Sequence, residues 1–214
     1  MSAAAAGLHQ HPVVAFDYDG TLIDAYEVKR QSYWQAVSET LDLDPDQRPI
    51  VDASYARTSG AHRFEQLADT ARALGVDVTP PQQEEFSRRY SGYNDAAKDL
   101  MREFPSARRV LEILRAEFDL ALISGLPNAL LSADAAERGL GDFFVRIDGG
   151  DKGRALDRLR AEGRTVVLFV GDTPHDEGVA AAKGVRFFRV QGDADLRRLP
   201  ASLGLPDLGN EKGT

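Results

Sequence analysis

A chain of 214 residues with 43% hydrophobic and 28% charged side chains is long enough to bury a real core, as one sizeable domain or as a core domain with a smaller one inserted. Its formal net charge of -8 argues against a nucleic-acid partner, which needs a basic face, and the absence of cysteine excludes disulfides, thiolate metal sites and cysteine nucleophiles. No apolar run approaches the roughly 18 residues of a membrane-spanning helix, and residues 1–10 lack the basic flank and apolar stretch of a secretory signal, so a cytoplasmic protein with a frayed start and no membrane partner is expected.

In chain order, five short apolar runs read as buried strands: residues 13–17, 120–124, 143–147, 166–171 and 185–190. Helix-length segments at 128–138, 152–161 and 174–183 alternate with the later runs, the pattern of a doubly wound parallel sheet. About a hundred residues separate the first run from the second, far beyond the usual connection, so something is inserted. Within that gap Tyr33, Val37 and Leu41, and then Phe64, Leu67, Ala68, Ala71 and Leu74, recur at helical spacing, and Pro80-Pro81 separates two helices. The aromatic group Tyr26, Tyr33 and Trp34 reads as packing within the insert. The expected organisation is an α/β core of residues 1–24 and 105–214, with tails at 1–11 and about 201–214, and a helical insert over 25–104. Phe104-Pro105 precedes the pattern Val110, Leu111, Leu114 that resumes the core.

The chemistry-bearing residues collect where runs end. Asp17 and Asp19 lie two apart in Asp17-Tyr18-Asp19-Gly20-Thr21, where the first run meets a loop; the second run ends in Ser124-Gly125; the fourth ends in Gly171-Asp172 with Asp176 just beyond. In open parallel sheets ligands bind at that carboxyl edge. The third run leads to Lys152 at the start of a helix, where backbone N–H groups also favour anions. Carboxylates, a hydroxyl and a cation at neighbouring strand ends are the parts of a phosphoryl-transfer site. Within the insert, Arg57, His62 and Arg63 surround Ser59-Gly60 at a loop-to-helix boundary. His175 reads as exposed and non-catalytic, and His9 and His11 as tail.

The string from Asp17 to Thr21, Ser124, Lys152, and Gly171-Asp172 through Asp176 resemble, in this order, the four motifs of the haloacid dehalogenase superfamily, each at the end of a core strand. The resemblance extends over residues 13 to about 190, and the insert looks like the family's α-helical cap, as in relatives of the phosphoglycolate phosphatase and β-phosphoglucomutase kind. Lys152 is followed by Gly153 where many relatives have proline, and Asp176 by Glu177 where an apolar residue is usual. The resemblance implies a doubly wound sheet in the order 3-2-1-4-5 and a magnesium-dependent phosphatase acting on a small phosphomonoester through an aspartyl-phosphate. It implies Asp17 as nucleophile and Asp19 as acid/base, and Mg2+ held by Asp17, Asp172, the Asp19 carbonyl and, less directly, Asp176. Ser124 and Gly125 would bind phosphoryl oxygens, Thr21 would join them in binding the phosphate while hydrogen-bonding within the first loop to fix Asp19, and Lys152 would offset charge. Arg57, His62 and Arg63 resemble the cap loop that contacts the substrate. A phosphomutase of the same family and a non-catalytic phospho-acceptor module stay open as alternatives.

Overall fold

The computed structural model describes residues 11–206 and 208. The readings of residues 1–10 as a frayed start and of His9 as tail lie outside that range. The chain opens with β1 (Val13–Phe16), an apolar run with every residue fully buried. A tight turn, in which the Ile23 and Leu22 amides both donate to the Tyr18 carbonyl, leads to the short β2 (Ile23–Asp24). Four helices follow: α1 (Tyr26–Leu41), α2 (Arg48–Thr58), α3 (Arg63–Leu74) and α4 (Pro80–Ala96). The start of α4 is fixed by a capping box between Thr79 and Gln82, with proline at the first helical position, where its missing N–H costs nothing.

The four helices carry their own apolar centre of Tyr33, Ala36, Val37, Val51, Tyr55, Leu67, Phe86 and Tyr90, with Tyr26 and Trp34 packed against it. Phe64 is exposed; α3 turns Leu67 and Ala71 inward instead, together with Gln66 and Thr70. The chain returns along β3 (Arg102–Glu103), which pairs antiparallel with β2. The outgoing and returning crossings between core and helical insert therefore lie side by side.

The core then continues through α5 (Ala107–Leu114), β4 (Asp119–Ser124), α6 (Asn128–Glu137), β5 (Arg146–Gly149), α7 (Lys152–Ala161), β6 (Val166–Gly171), α8 (Pro174–Ala182), β7 (Arg186–Arg189) and α9 (Asp193–Ser202). The strands form one parallel sheet in the order β5-β4-β1-β6-β7, which is the order 3-2-1-4-5 expected from the sequence. Apolar clusters cover both faces, one around Phe16, Leu122 and Val170, the other around Ile123, Leu156 and Phe169. Each such side chain contributes about 1.5–3 kcal/mol by leaving water. Among the described residues no helix is long and apolar enough to cross a membrane.

Two sequence expectations are corrected. The third run, placed at 143–147, is instead a 3-10 turn at Gly141–Phe143 followed by strand at Arg146–Gly149: Phe143 and Phe144 pack sideways onto the core cluster, and the ladder with β4 starts only at Arg146. The stretch after Pro200, expected as a loose tail, packs on the core as far as Leu208, and the rest of that expectation, at 207 and 209–214, lies outside the described residues. Leu196 and Leu199 of α9 are fully buried and Leu203, Leu205 and Leu208 pack on the same cluster, while Asp193 accepts hydrogen bonds from the Ser106 amide and hydroxyl. At the other end, the exposed His11 hydrogen-bonds the Glu117 carbonyl.

Candidate functional site

The carboxyl ends of β1, β4 and β6, together with the start of α7, face the helical insert across a cavity of about 900 Å³, a size that suits a small metabolite. Asp17, 3% exposed, follows β1 directly. Tyr18 is turned away from its acidic neighbours and is itself buried, donating to Asp134 on α6 at 2.7 Å, so Asp17 and Asp19 are left to line the cavity. The next residue has to be glycine. Gly20 has φ +85°, and a Cβ there would sit 2.2 Å from an Asp172 oxygen; the loop can approach β6 this closely only without a side chain.

Carboxylate oxygens of Asp17, Asp172 and Asp176 lie within 4.8 Å of one another. Lys152, 5% exposed at the first turn of α7, bridges two of them, with Nζ 2.8 Å from Asp17 and 2.6 Å from Asp176. Burial pushes the Asp17 carboxyl well above the usual carboxylate range; Lys152 opposes this, while Asp176 and Asp172 add to it. Burial, reinforced by the Asp176 charge, pushes Asp172 up to about 6. Burial works against the charge on Lys152, but Asp17 and Asp176 outweigh it and hold the ammonium above its ordinary value. Three crowded acids sharing one cation make a centre that is short of positive charge.

Asp176 is fully committed within the protein. One oxygen takes the Lys152 bond and the other accepts from the Thr173 amide and hydroxyl, closing a capping box at the start of α8. Glu177, the residue that breaks the usual apolar pattern, stands outside the cluster and pairs with Arg189 at 2.5 Å. Arg189 in turn donates to the Asp172 carbonyl at 2.9 Å, so the unusual acid anchors the arginine that braces the Asp172 loop. Thr21 departs from its expected place: it is fully buried, is not among the cavity-lining residues, and its hydroxyl reaches Asp172 at 3.4 Å. The loop turns back on itself at Tyr18 and carries Thr21 beneath the site.

Ser124, 3% exposed, and Gly125 line the cavity, and the Ser124 hydroxyl accepts from the Leu126 amide at 3.3 Å. From the insert, Gly60 packs directly on the core: it has φ +85°, and a Cβ there would meet the Thr173 hydroxyl at 2.4 Å. The insert is thus closed down on the Asp172–Asp176 loop. His62 caps α3 and lines the cavity, as does Arg63. Arg57 does not; it is exposed and paired with Asp69. His175 lines the rim of the cavity and is exposed.

The sequence reading missed Lys29. Carried on α1, it reaches across to Asp19 with Nζ 2.5 Å from one carboxylate oxygen. Burial disfavours its charge, but the Asp19 carboxylate outweighs that and raises it. Nothing in the spacing of residues 19 and 29 announces the contact, which exists only because the insert folds over the core.

Comparison with known proteins agrees with this geometry. The sequence profile of the haloacid dehalogenase-like hydrolases matches residues 11–184. No curated protein sequence matches. Among solved structures, similar ones include a predicted phosphoglycolate phosphatase from Haemophilus somnus (20% identity over 87% of this chain and 88% of that one, TM-score 0.66). Others are a haloacid dehalogenase-like family hydrolase from Streptococcus pneumoniae (20%, 87% and 89%, 0.67) and a protein assigned as a β-phosphoglucomutase from Thermotoga maritima (21%, 83% and 84%, 0.56). At these identities the structural likeness establishes the shared fold.

Proposed function

The chain belongs to the haloacid dehalogenase-like hydrolase family, and we propose that it is a magnesium-dependent phosphatase that hydrolyses a small phosphomonoester through a phosphorylated Asp17. The observation that carries this reading is the convergence of Asp17, Asp172 and Asp176 within 4.8 Å around the buried Lys152, beneath a closed insert. The donor set fits a hard cation: all its members are oxygens, and the cluster holds more negative charge than Lys152 neutralises. Asp17, Asp172 and the Asp19 carbonyl would hold Mg2+, with Asp176 acting through Lys152 and Thr173 because both its oxygens are already bonded. Bound there, the ion would neutralise charge on the phosphoryl oxygens, so that a carboxylate can approach an anionic ester.

In the first half-reaction an Asp17 carboxylate oxygen bonds to phosphorus as the ester P–O bond breaks, and Asp19 gives its proton to the departing oxygen. In the second, Asp19 takes a proton from the water that cleaves the acyl phosphate, regenerating Asp17 and releasing phosphate. Lys29 holds one oxygen of the Asp19 carboxyl and leaves the other, which makes no hydrogen bond among the described residues, for that proton. The Ser124 hydroxyl and the Gly125 amide bind phosphoryl oxygens, and Lys152 keeps the Asp17 oxygen in place and balances charge on the transferring group.

Phosphate release from a panel of small phosphate esters tests this reading. Activity should vanish with chelator and return with magnesium; full turnover in excess chelator would refute it. Magnesium should also raise the melting temperature, and that gain should grow as pH rises through about 6, because Asp172 must shed its proton before it can ligate. Release of free phosphate, rather than isomerisation of the ester, separates a phosphatase from a phosphomutase.

Closure of the insert carries a second expectation. Gly60→Ala places a methyl group on the Thr173 hydroxyl in a backbone conformation that L side chains resist. The loop can then no longer seat, and kcat/KM should fall by about tenfold or more, since water exclusion during transfer depends on the closed state, while the melting temperature falls by only about 2–8 °C, the cost of roughly 1–2 kcal/mol for a side chain in that conformation. Unaltered kcat/KM would show that closure at Gly60 has no part in turnover.

A further inference from the structure

The ladder between β6 and β7 ends at Gly171 and Arg189, with a last backbone bond from the Val190 amide to the Gly171 carbonyl at 2.9 Å. One residue further, the Asp172 carbonyl lies past the end of the ladder, and the Arg189 side chain supplies the next rung: Nη1 donates to that carbonyl at 2.9 Å. At the other end of the same peptide unit the Thr173 amide donates to Asp176 at 3.1 Å. A peptide unit is planar, so holding both its C=O and its N–H fixes the plane, and with it the backbone from which the Asp172 carboxylate projects.

Arg189 is itself held. Nη2 donates to Glu177 Oε2 at 2.5 Å, and the guanidinium carbon lies 5.5 Å from the centre of the Phe187 ring, two residues back on the same strand. Glu177 also balances a guanidinium that would otherwise add positive charge beside a cation site. The Arg189 and Glu177 side chains are 31% and 60% exposed, and an ion pair in such a setting contributes little to global stability. Its effect is local. Magnesium demands near-ideal octahedral geometry, and any ordering of a ligand loop on binding is subtracted from the affinity.

We propose that Arg189, held and neutralised by Glu177, is a positioning residue that presets the Asp172 carboxylate for the divalent cation. The acid that departs from the family's apolar pattern thus serves the metal site from outside it. The inference rests on the phosphatase reading for the nature of that site, but it concerns cation binding and not turnover.

Melting temperature followed against free magnesium concentration gives a midpoint for cation binding with no substrate present. Arg189→Met, which keeps the stem and loses the donor, should raise that midpoint about tenfold, the low end of the effect of outer partners on metal ligands. In chelator its melting temperature should stay close to that of wild type, and at saturating magnesium most of kcat should return. Arg189→Lys, a point charge that cannot serve Asp172 and Glu177 as a fork, should restore part of the affinity. Glu177→Leu should raise the midpoint about two- to fivefold, the scale of an exposed ion pair. The double variant should be no worse than Arg189→Met, because Glu177 acts through Arg189.

A midpoint in Arg189→Met equal to that of wild type would overturn the proposal, all the more if the melting temperature in chelator fell, which is the mark of a purely structural role. Effects of the two substitutions that multiply in the double variant would overturn the link through Glu177. If Arg189→Met does not fold, Glu177→Leu decides: an unchanged midpoint there overturns the proposal. Absence of phosphate release from every ester would instead count against the phosphatase reading and leave the magnesium titration standing.

Discussion

Replacing Asp17 with asparagine is expected to lower phosphate release by about ten-thousandfold or more, because an amide can neither attack phosphorus nor carry charge to a cation. The same substitution should leave the apoprotein at least as stable as wild type. Asp17 is one of three carboxylates crowded around a single lysine, and burial already makes its ionised form costly. The amide would keep nearly the volume of the carboxylate it replaces, and Lys152 would retain Asp176 at 2.6 Å. Without magnesium the melting temperature should therefore hold or rise, and the stabilisation that magnesium gives the wild type should shrink. An active site that gains stability when its reactive charge is removed is the signature of strain kept for function. Residual turnover near the wild-type rate would remove Asp17 from the nucleophile role; a melting temperature that collapses would show that the carboxylate is structural.

Lys152→Met should act on both fold and activity. Among the described residues the ammonium is the one protein cation bonded within the cluster, to Asp17 and Asp176, with only 4% of its side chain exposed. Removing it leaves buried acids facing one another with no counter-charge, and breaking a buried ion pair on one side typically costs about 3–5 kcal/mol. For a chain of this size that is roughly a 6–20 °C fall in melting temperature. Magnesium would supply part of the missing charge, so the deficit should be smaller in its presence, while turnover stays negligible in both conditions because the Asp17 oxygen is no longer held. A variant as stable as wild type in chelator would mean that the acids are not ionised together and that Lys152 does not balance them.

Much of the core was readable in advance because its strands are buried on both faces. A strand covered on both sides must be apolar throughout, so residues 166–171 and 120–124 stand out as runs, and the acids that follow them stand out by contrast. The same logic failed at 143–147, where Phe143 and Phe144 are apolar for a different reason: they fill the side of the cluster ahead of the strand. It failed also just after Pro200, where Gly and Leu suggested a loose end but Leu203, Leu205 and Leu208 pack on the core cluster beside Leu196 and Leu199.

The sequence by itself determined the alternation of strand and helix, the presence of a helical insert and the strand ends that carry Asp17, Asp172, Asp176 and Lys152, because each of these follows from local features: runs, breaks, and polar residues at the ends of runs; the sheet order followed from the resemblance of the four motifs to those of the family. Only the tertiary structure decided what meets across the cavity. Lys29 against Asp19, Arg63 anchored on Ser87 and Ser91, Gly60 against Thr173, and Arg189 linking Glu177 to the Asp172 carbonyl join residues on separate elements. No periodicity relates such pairs, since their separation along the chain is set by how the insert and the βα loops fold over the sheet, and a side chain's partner is fixed by that packing alone. For the same reason Arg57 and Arg63, alike in sequence context, part company in space: one spends its charge on Asp69 at the surface, and the other keeps its charge for the cavity.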